Sequence, residues 1–218
     1  MNNYDKIYTV LCTLFSVLIV TSNLVYQKFV YLPIFSFYTF ELSVGAIFYP
    51  LTFLITNLIA EFYGKEKARF CVRLAIIMCV LVCLALKLMN YLQATSWSKI
   101  DNNIFNMVFG VYSISLIGSI IAGYTAQLTD ISLYLFIRKL TNNKFLFLRN
   151  LSTAISLFID TFIVITFITI FGAIPFEQMP NLIFNSYIFK LFFTLATMPV
   201  FYGAIYFIRL HLAKQSAL

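Results

Sequence analysis

The sequence predicts an all-α polytopic membrane protein: six transmembrane helices in a single bundle, both termini cytoplasmic, with residues 1–218 forming one membrane domain. Three observations predict it. Of 218 residues, 61% are apolar and only 11% charged, against about 45–50% and about 25% in soluble domains. A core of this size cannot hide so much apolar side chain from water, so the surplus must face lipid. Six stretches reach the roughly 20 apolar residues that a helix needs to cross about 30 Å of hydrocarbon. The basic residues gather on one side of those stretches. The same composition excludes a disordered chain, a nucleic-acid-binding domain and a disulfide scaffold.

The first stretch, residues 7–25, follows Lys6 and resembles a secretory signal. It exceeds the apolar run of about 7–15 residues that such signals carry, and no small-x-small cleavage site follows, so it is read as a retained helix. The remaining helices are expected at 42–60, 70–89, 105–128, 151–173 and 187–208. No segment shows the apolar/polar alternation of barrel strands. Lys6, Lys65, Lys67, Arg69, Arg73, Arg138, Lys139, Lys144, Arg149, Arg209 and Lys214 all fall on one side of this bundle. Basic residues collect in short cytoplasmic loops, which sets the orientation and gives the net charge of +7 a topogenic meaning. Cys12, Cys71, Cys79 and Cys83 form no CxxC pair and read as small packing residues. His211 stands alone past the last stretch, so neither a metal site nor another cofactor is expected.

A charge at the centre of a membrane helix costs about 2.5–3.5 kcal/mol on insertion scales, so polar residues inside the stretches need a reason. Asp160 lies near the middle of the fifth and must face the bundle interior. Lys190 falls near the outer end of the sixth, where it either snorkels to the interface or turns inward as counter-charge to a carboxylate. Asn57 and Glu61 share one helix face at i, i+4, and Gln127 and Asp130 share another at i, i+3. Both pairs lie near cytoplasmic ends, where Glu61 has Lys65 and Asp130 a loop arginine as alternative partners. Asn23 and Gln27 close the first helix, as ligand groups or as hydrogen-bonding glue between helices. Ser115, Ser119, Ala122 and Gly123 give the fourth helix a face that permits close packing. Embedded among aromatic rings, of which Tyr49, Tyr187 and Tyr202 lie nearest the polar groups, the set reads as a cavity. Carboxylates and amides would orient a flat, hydrogen-bonding solute while the rings supply π faces.

Specific strings then match a known family. They are Ser22-Asn23, Gly45-Ala46, the run from Phe48 to Phe53, Ala60-Glu61-Phe62-Tyr63-Gly64, Ala68-Arg69, Gln127 with Asp130, Ser152-Thr153, Asp160-Thr161, Phe189-Lys190, and Pro199 with Tyr202-Gly203. In this order the sequence resembles the YhhQ-type queuosine precursor transporters, also described as vitamin uptake transporters. The resemblance implies a multi-pass protein of the bacterial inner membrane that works alone or as a homo-oligomer. It would import a small heterocyclic base, of 7-deazaguanine type or queuine, for queuosine salvage in tRNA. A second class, the substrate-binding subunit of an energy-coupling-factor transporter with partner ATPases, usually shows an Ala-xxx-Ala face in its first helix. No alanine occurs in residues 7–25. No histidine falls in a predicted span and no Gly-rich phosphate loop is present, so an enzyme is not expected.

Overall fold

The computed structural model describes residues 3–35, 38–110, 112–140, 149–172 and 174–216; the side chains of 3, 35, 112–115, 149 and 211–216, Ser115 and His211 among them, lie outside that description, as does Lys144. The described residues are mostly helical, and their strands form a single hairpin. Helix α1 (Asn3–Val25) leads into a hairpin of β1 (Phe29–Phe35) and β2 (Tyr38–Ser43), antiparallel with Phe29 opposite Ser43 and Leu32 opposite Phe40. This corrects the expectation that nothing alternates and that a helix begins at residue 42. In β2, Phe40 and Leu42 are buried, while Thr39 and Glu41, which alternate with them, are less so. The run is only six residues long, too short to be a membrane-spanning strand of about 9–11 residues, and its partner strand is almost wholly apolar.

After a 3-10 turn at Val44–Ala46, α2 (Pro50–Asn90) starts with Pro50 in the first turn, where its missing N–H costs nothing. As a straight rod its 41 residues would measure about 62 Å, twice the hydrocarbon thickness. Gly64 breaks the rod with φ 82° and ψ 175°, a conformation essentially restricted to glycine. The first limb, residues 50–63, and the second, residues 65–90, both lie along α1. Tyr4 donates to the Phe62 carbonyl, Tyr8 to that of Lys67 (3.0 Å), and Asn23 meets Cys79 (3.9 Å). At the other end of the first limb, a Cβ on Gly45 would lie 2.3 Å from the Ser22 carbonyl oxygen, so the turn before α2 presses on the end of α1. The first limb is therefore antiparallel to α1 and the second parallel. Ile59, Cys71 and Val72 from the two limbs share one core cluster with Phe15, Ile131 and Tyr134.

The expected fourth helix proves to be two elements. Short α3 (Asn102–Phe109), capped by Asp101 accepting from the Ile104 N–H at 2.7 Å, precedes α4 (Tyr112–Leu140). Hydropathy fades after residue 128 because Asp130, Arg138 and Lys139 follow, yet the helix continues. Helix α5 (Arg149–Ile170) agrees with expectation to within a few residues. The sixth stretch begins earlier than its apolar run and bends: α6 (Met179–Ala196), with Pro180 in its first turn, and α7 (Met198–Ser216) meet at 41° beside Pro199. Among the described residues, four helical segments are long and apolar enough to cross a membrane, five with this bent pair counted as one. Less than half of each of the four most apolar windows is buried within the protein, leaving residues such as Val17, Leu84 and Phe162 outward, as a lipid environment requires. This is a mostly helical, multi-pass membrane protein. Its two ends differ: one carries the hairpin, the other the Gly64 break and the side chains of Lys67, Arg138 and Arg209.

Candidate functional site

At 1.5 Å per residue, Asp160 lies about 16 Å along α5 and Lys190 about 16 Å along α6. The earlier start of α6 moves Lys190 inward from the interface, and it does not snorkel. Its Nζ donates to Asp160 Oδ2 at 2.8 Å and to Thr161 Oγ1 at 3.0 Å, with both ionic side chains only 5% exposed. Tyr49, just before α2, donates its hydroxyl to the other carboxylate oxygen, Oδ1, at 2.8 Å, and its ring lies 4.9 Å beneath the ammonium. Three polypeptide segments thus converge on a hydrogen-bonded, net-neutral group. Neutrality matters, because an isolated ion would be far more costly in this setting.

This group forms one wall of an open-mouthed cavity. Asn23 from α1 lines it, as do the hydroxyl-bearing Ser22, Ser43, Ser119 and Ser186, the rings of Tyr26 and Phe29, and apolar Ile165 and Ile168 from α5. The lining lies toward the hairpin end, where β2 is anchored to α6 through Tyr38 donating to Asn185 Oδ1 (2.9 Å) and Phe40 packing edge-on against Phe189. Such a lining offers an acceptor carboxylate, a donor ammonium, convertible hydroxyls and aromatic faces inside one apolar enclosure.

Of the ten residues singled out in the sequence, the cavity brings together Asn23, Tyr49, Asp160 and Lys190. The other six lie elsewhere. Asn57 and Asp130 meet deeper in the bundle, Asn57 Nδ2 donating to Asp130 Oδ2 at 3.0 Å, while Ser152 and Thr153 donate to Oδ1 at 2.9 and 3.0 Å. Asp130 is fully buried rather than at a helix end, since α4 runs on to Leu140. Gln127 donates to Thr52 and accepts from Thr56, at 2.9 and 2.8 Å. Glu61 pairs not with Lys65 but with Arg138 (3.1 Å) and Arg209 (3.3 Å) and accepts from Tyr134 (2.6 Å), tying α2, α4 and α7 together away from the cavity. Tyr187 packs edge-on against Phe158. Tyr202 is 36% exposed on the bundle surface. Gln27 donates to the Val108 carbonyl, the adhesive role open to it.

Tyr26, Phe29, Ser43 and Ser186 were not anticipated. Ser186 was findable, four residues before Lys190 and hence on its face. The other three owe their place to the hairpin, which hydropathy did not reveal.

Residues 43–204 match the family described as "putative vitamin uptake transporter". The chain belongs to this family. A relative in Bacillus subtilis (strain 168), described as "Probable queuosine precursor transporter", is 27% identical over 164 residues, covering 74% of this chain and 71% of that one. No solved structure matches. The matched segment of this vitamin uptake transporter family member contains Tyr49, Asp160 and Lys190, whereas Ser22, Asn23 and Tyr26 precede it.

Proposed function

We propose that the protein imports a queuosine precursor, a 7-deazaguanine-type base or queuine, by exposing the Asp160–Lys190 cavity in turn to the two faces of the membrane. The observation that carries this reading is the buried Lys190–Asp160–Tyr49 group set in the wall of a cavity that also offers hydroxyls, an amide and aromatic rings. An intramembrane ion pair of this kind marks a solute pathway by default. The relative's name points to the same class of solute.

In this reading the Gly64 break makes two crossings of Val44–Asn90, and the bent α6–α7 pair makes one, giving six crossings with both termini cytoplasmic. The positive-inside rule then puts the end bearing Arg138 and Arg209 in the cytoplasm and the hairpin end outside. The base enters past Tyr26 and Phe29. Its ring N–H and exocyclic amine form an edge of two donors that suits the Asp160 carboxylate, while its carbonyl accepts from Lys190. Both carboxylate oxygens already accept hydrogen bonds, so binding exchanges partners: the base takes those held by Lys190 and Tyr49, and the ammonium keeps Thr161 while it turns to the carbonyl.

The test is tRNA queuosine, measured in a host that can neither make nor import the precursors, expressing this chain with limiting base supplied. Asp160→Ala and Lys190→Ala each remove charge-assisted hydrogen bonds worth about 1.5–3 kcal/mol, so uptake is expected to fall about 10- to 150-fold. Parent-level uptake by either variant, at equal membrane abundance, would remove the cavity from the pathway.

A further inference from the structure

The cavity stops at Asp160, but the polar side chains do not. On α5, Ser152 and Ser156 precede Asp160 at four-residue intervals, stacking on one helix face over about 12 Å. On α4, Gly123, Gln127, Asp130, Tyr134 and Arg138 follow Ser119 at spacings of three or four. On the first limb of α2, Thr52 and Thr56 follow Tyr49 at spacings of three and four, and Asn57, next to Thr56, leads to Glu61 at a spacing of four. The three stripes face one another. Gln127 joins Thr52 and Thr56; Asn57 joins Asp130 and, at 3.4 Å, Thr153; the seam ends where Tyr134 and Arg138 meet Glu61. It therefore runs unbroken from the cavity wall to the basic end of the bundle.

Two features separate this seam from simple adhesion between helices. Thr52, Thr56, Asn57, Gln127, Asp130 and Ser156 are each no more than 1% exposed, yet adhesion in lipid is achieved with a few small or singly polar contacts. Two of its polar atoms are also left over. Asn57 Oδ1 and Ser156 Oγ have no hydrogen-bond partner among the described residues. An unmade bond in an apolar interior is costly, and both atoms belong to the seam between Asp160 and Glu61, where a passing hydrogen-bonding solute would supply what is missing.

We propose that the seam between the first limb of α2, α4 and α5 is the inner half of the transport path, closed in this structure, and that Asn57, Asp130 and Ser156 form a second station for the same heterocyclic base on its way to the basic end. This rests on the transport reading above. Asn57 Oδ1 accepts from the base's donor edge, and Ser156 donates to its ring nitrogen or carbonyl. Release requires the Glu61 pairs with Arg138 and Arg209 to part, because they close the seam's far end.

The experiment uses the full chain in vesicles of known sidedness, with Cys12, Cys71, Cys79 and Cys83 replaced and uptake retained. Ser156→Cys is exposed to a small membrane-impermeant thiosulfonate from the basic side. Labelling is expected, slowed about fivefold or more by saturating 7-deazaguanine base. In parallel, Asn57→Val is expected to bind the base within about twofold of the parent while uptake falls about tenfold. No labelling from the basic side in a Ser156→Cys protein that transports, or parent-level uptake by Asn57→Val, overturns the proposal. So does loss of base binding together with uptake in folded Asn57→Val, since that would make the station part of the Asp160 site. A parent protein that neither binds nor carries the base would instead sink the transport reading, and the labelling without base is still read in that case.

Discussion

Removing one member of the Asp160–Lys190 pair should cost far more stability than removing both. The ions sit 2.8 Å apart with their side chains 5% exposed; at an effective dielectric of about 20 their attraction is about 6 kcal/mol before desolvation is subtracted. Lys190→Met leaves a carboxylate held by Tyr49 alone. Breaking a buried pair in this way costs about 3–5 kcal/mol, whereas replacing both ions with uncharged groups of similar size is near neutral. For a chain of this size the single variant should therefore melt roughly 6–20 °C lower, and Asp160→Asn combined with Lys190→Met within a few degrees of the parent. The assay is thermal unfolding in detergent of the four proteins of the double-mutant cycle, with base uptake measured on the same set in vesicles. A coupling energy of at least about 2 kcal/mol is expected, with uptake absent from the double variant despite its restored stability. Additive stability effects would refute the argument that the pair is closed and desolvated. A double variant that transports would refute its role in recognition.

Three further outcomes follow from the geometry. Gly45→Ala puts a methyl 2.3 Å from the Ser22 carbonyl oxygen, and because backbone cannot yield as a side chain does, a loss of about 1–3 kcal/mol and slower uptake should accompany it, read by melting and initial rates. Gly64→Ala meets no atom within 4 Å, so its cost of about 1–3 kcal/mol should come from backbone conformation alone; melting should fall while base affinity per folded molecule stays at the parent value. Tyr202→Ala, on the bundle surface, should change stability by no more than about 0.5 kcal/mol and leave uptake intact.

The basic end gives a fourth. Glu61→Gln keeps the shape of the side chain but removes its charge from Arg138 and Arg209, whose own side chains are 30% and 65% exposed. Stability should drop by only about 1 kcal/mol, yet labelling of Ser156→Cys from the basic side should quicken. Unchanged labelling would mean that something other than these pairs closes that end.

The sequence alone determined that this is a membrane protein of many spans, because that conclusion is additive over residues and needs no partners. It also singled out Asp160, since a carboxylate amid Leu157, Phe158, Ile159 and Phe162 has few physical excuses. Tertiary structure decided the pairings. Whether Lys190 snorkels or turns inward depends on where α6 begins, and that start, through Pro180 and Asn181, lies outside the apolar run that hydropathy detects. Glu61 had Lys65 as a neighbour in sequence, yet meets Arg138 and Arg209, which are near only because α4 continues to Leu140 and α7 bends by 41°. The hairpin that carries Phe29 and Ser43 to the cavity was hidden because a strand as apolar as β1 shows no period to distinguish it from a helix. Local chemistry says which side chains cannot face lipid; only the rotation and reach of whole helices says which of them face each other.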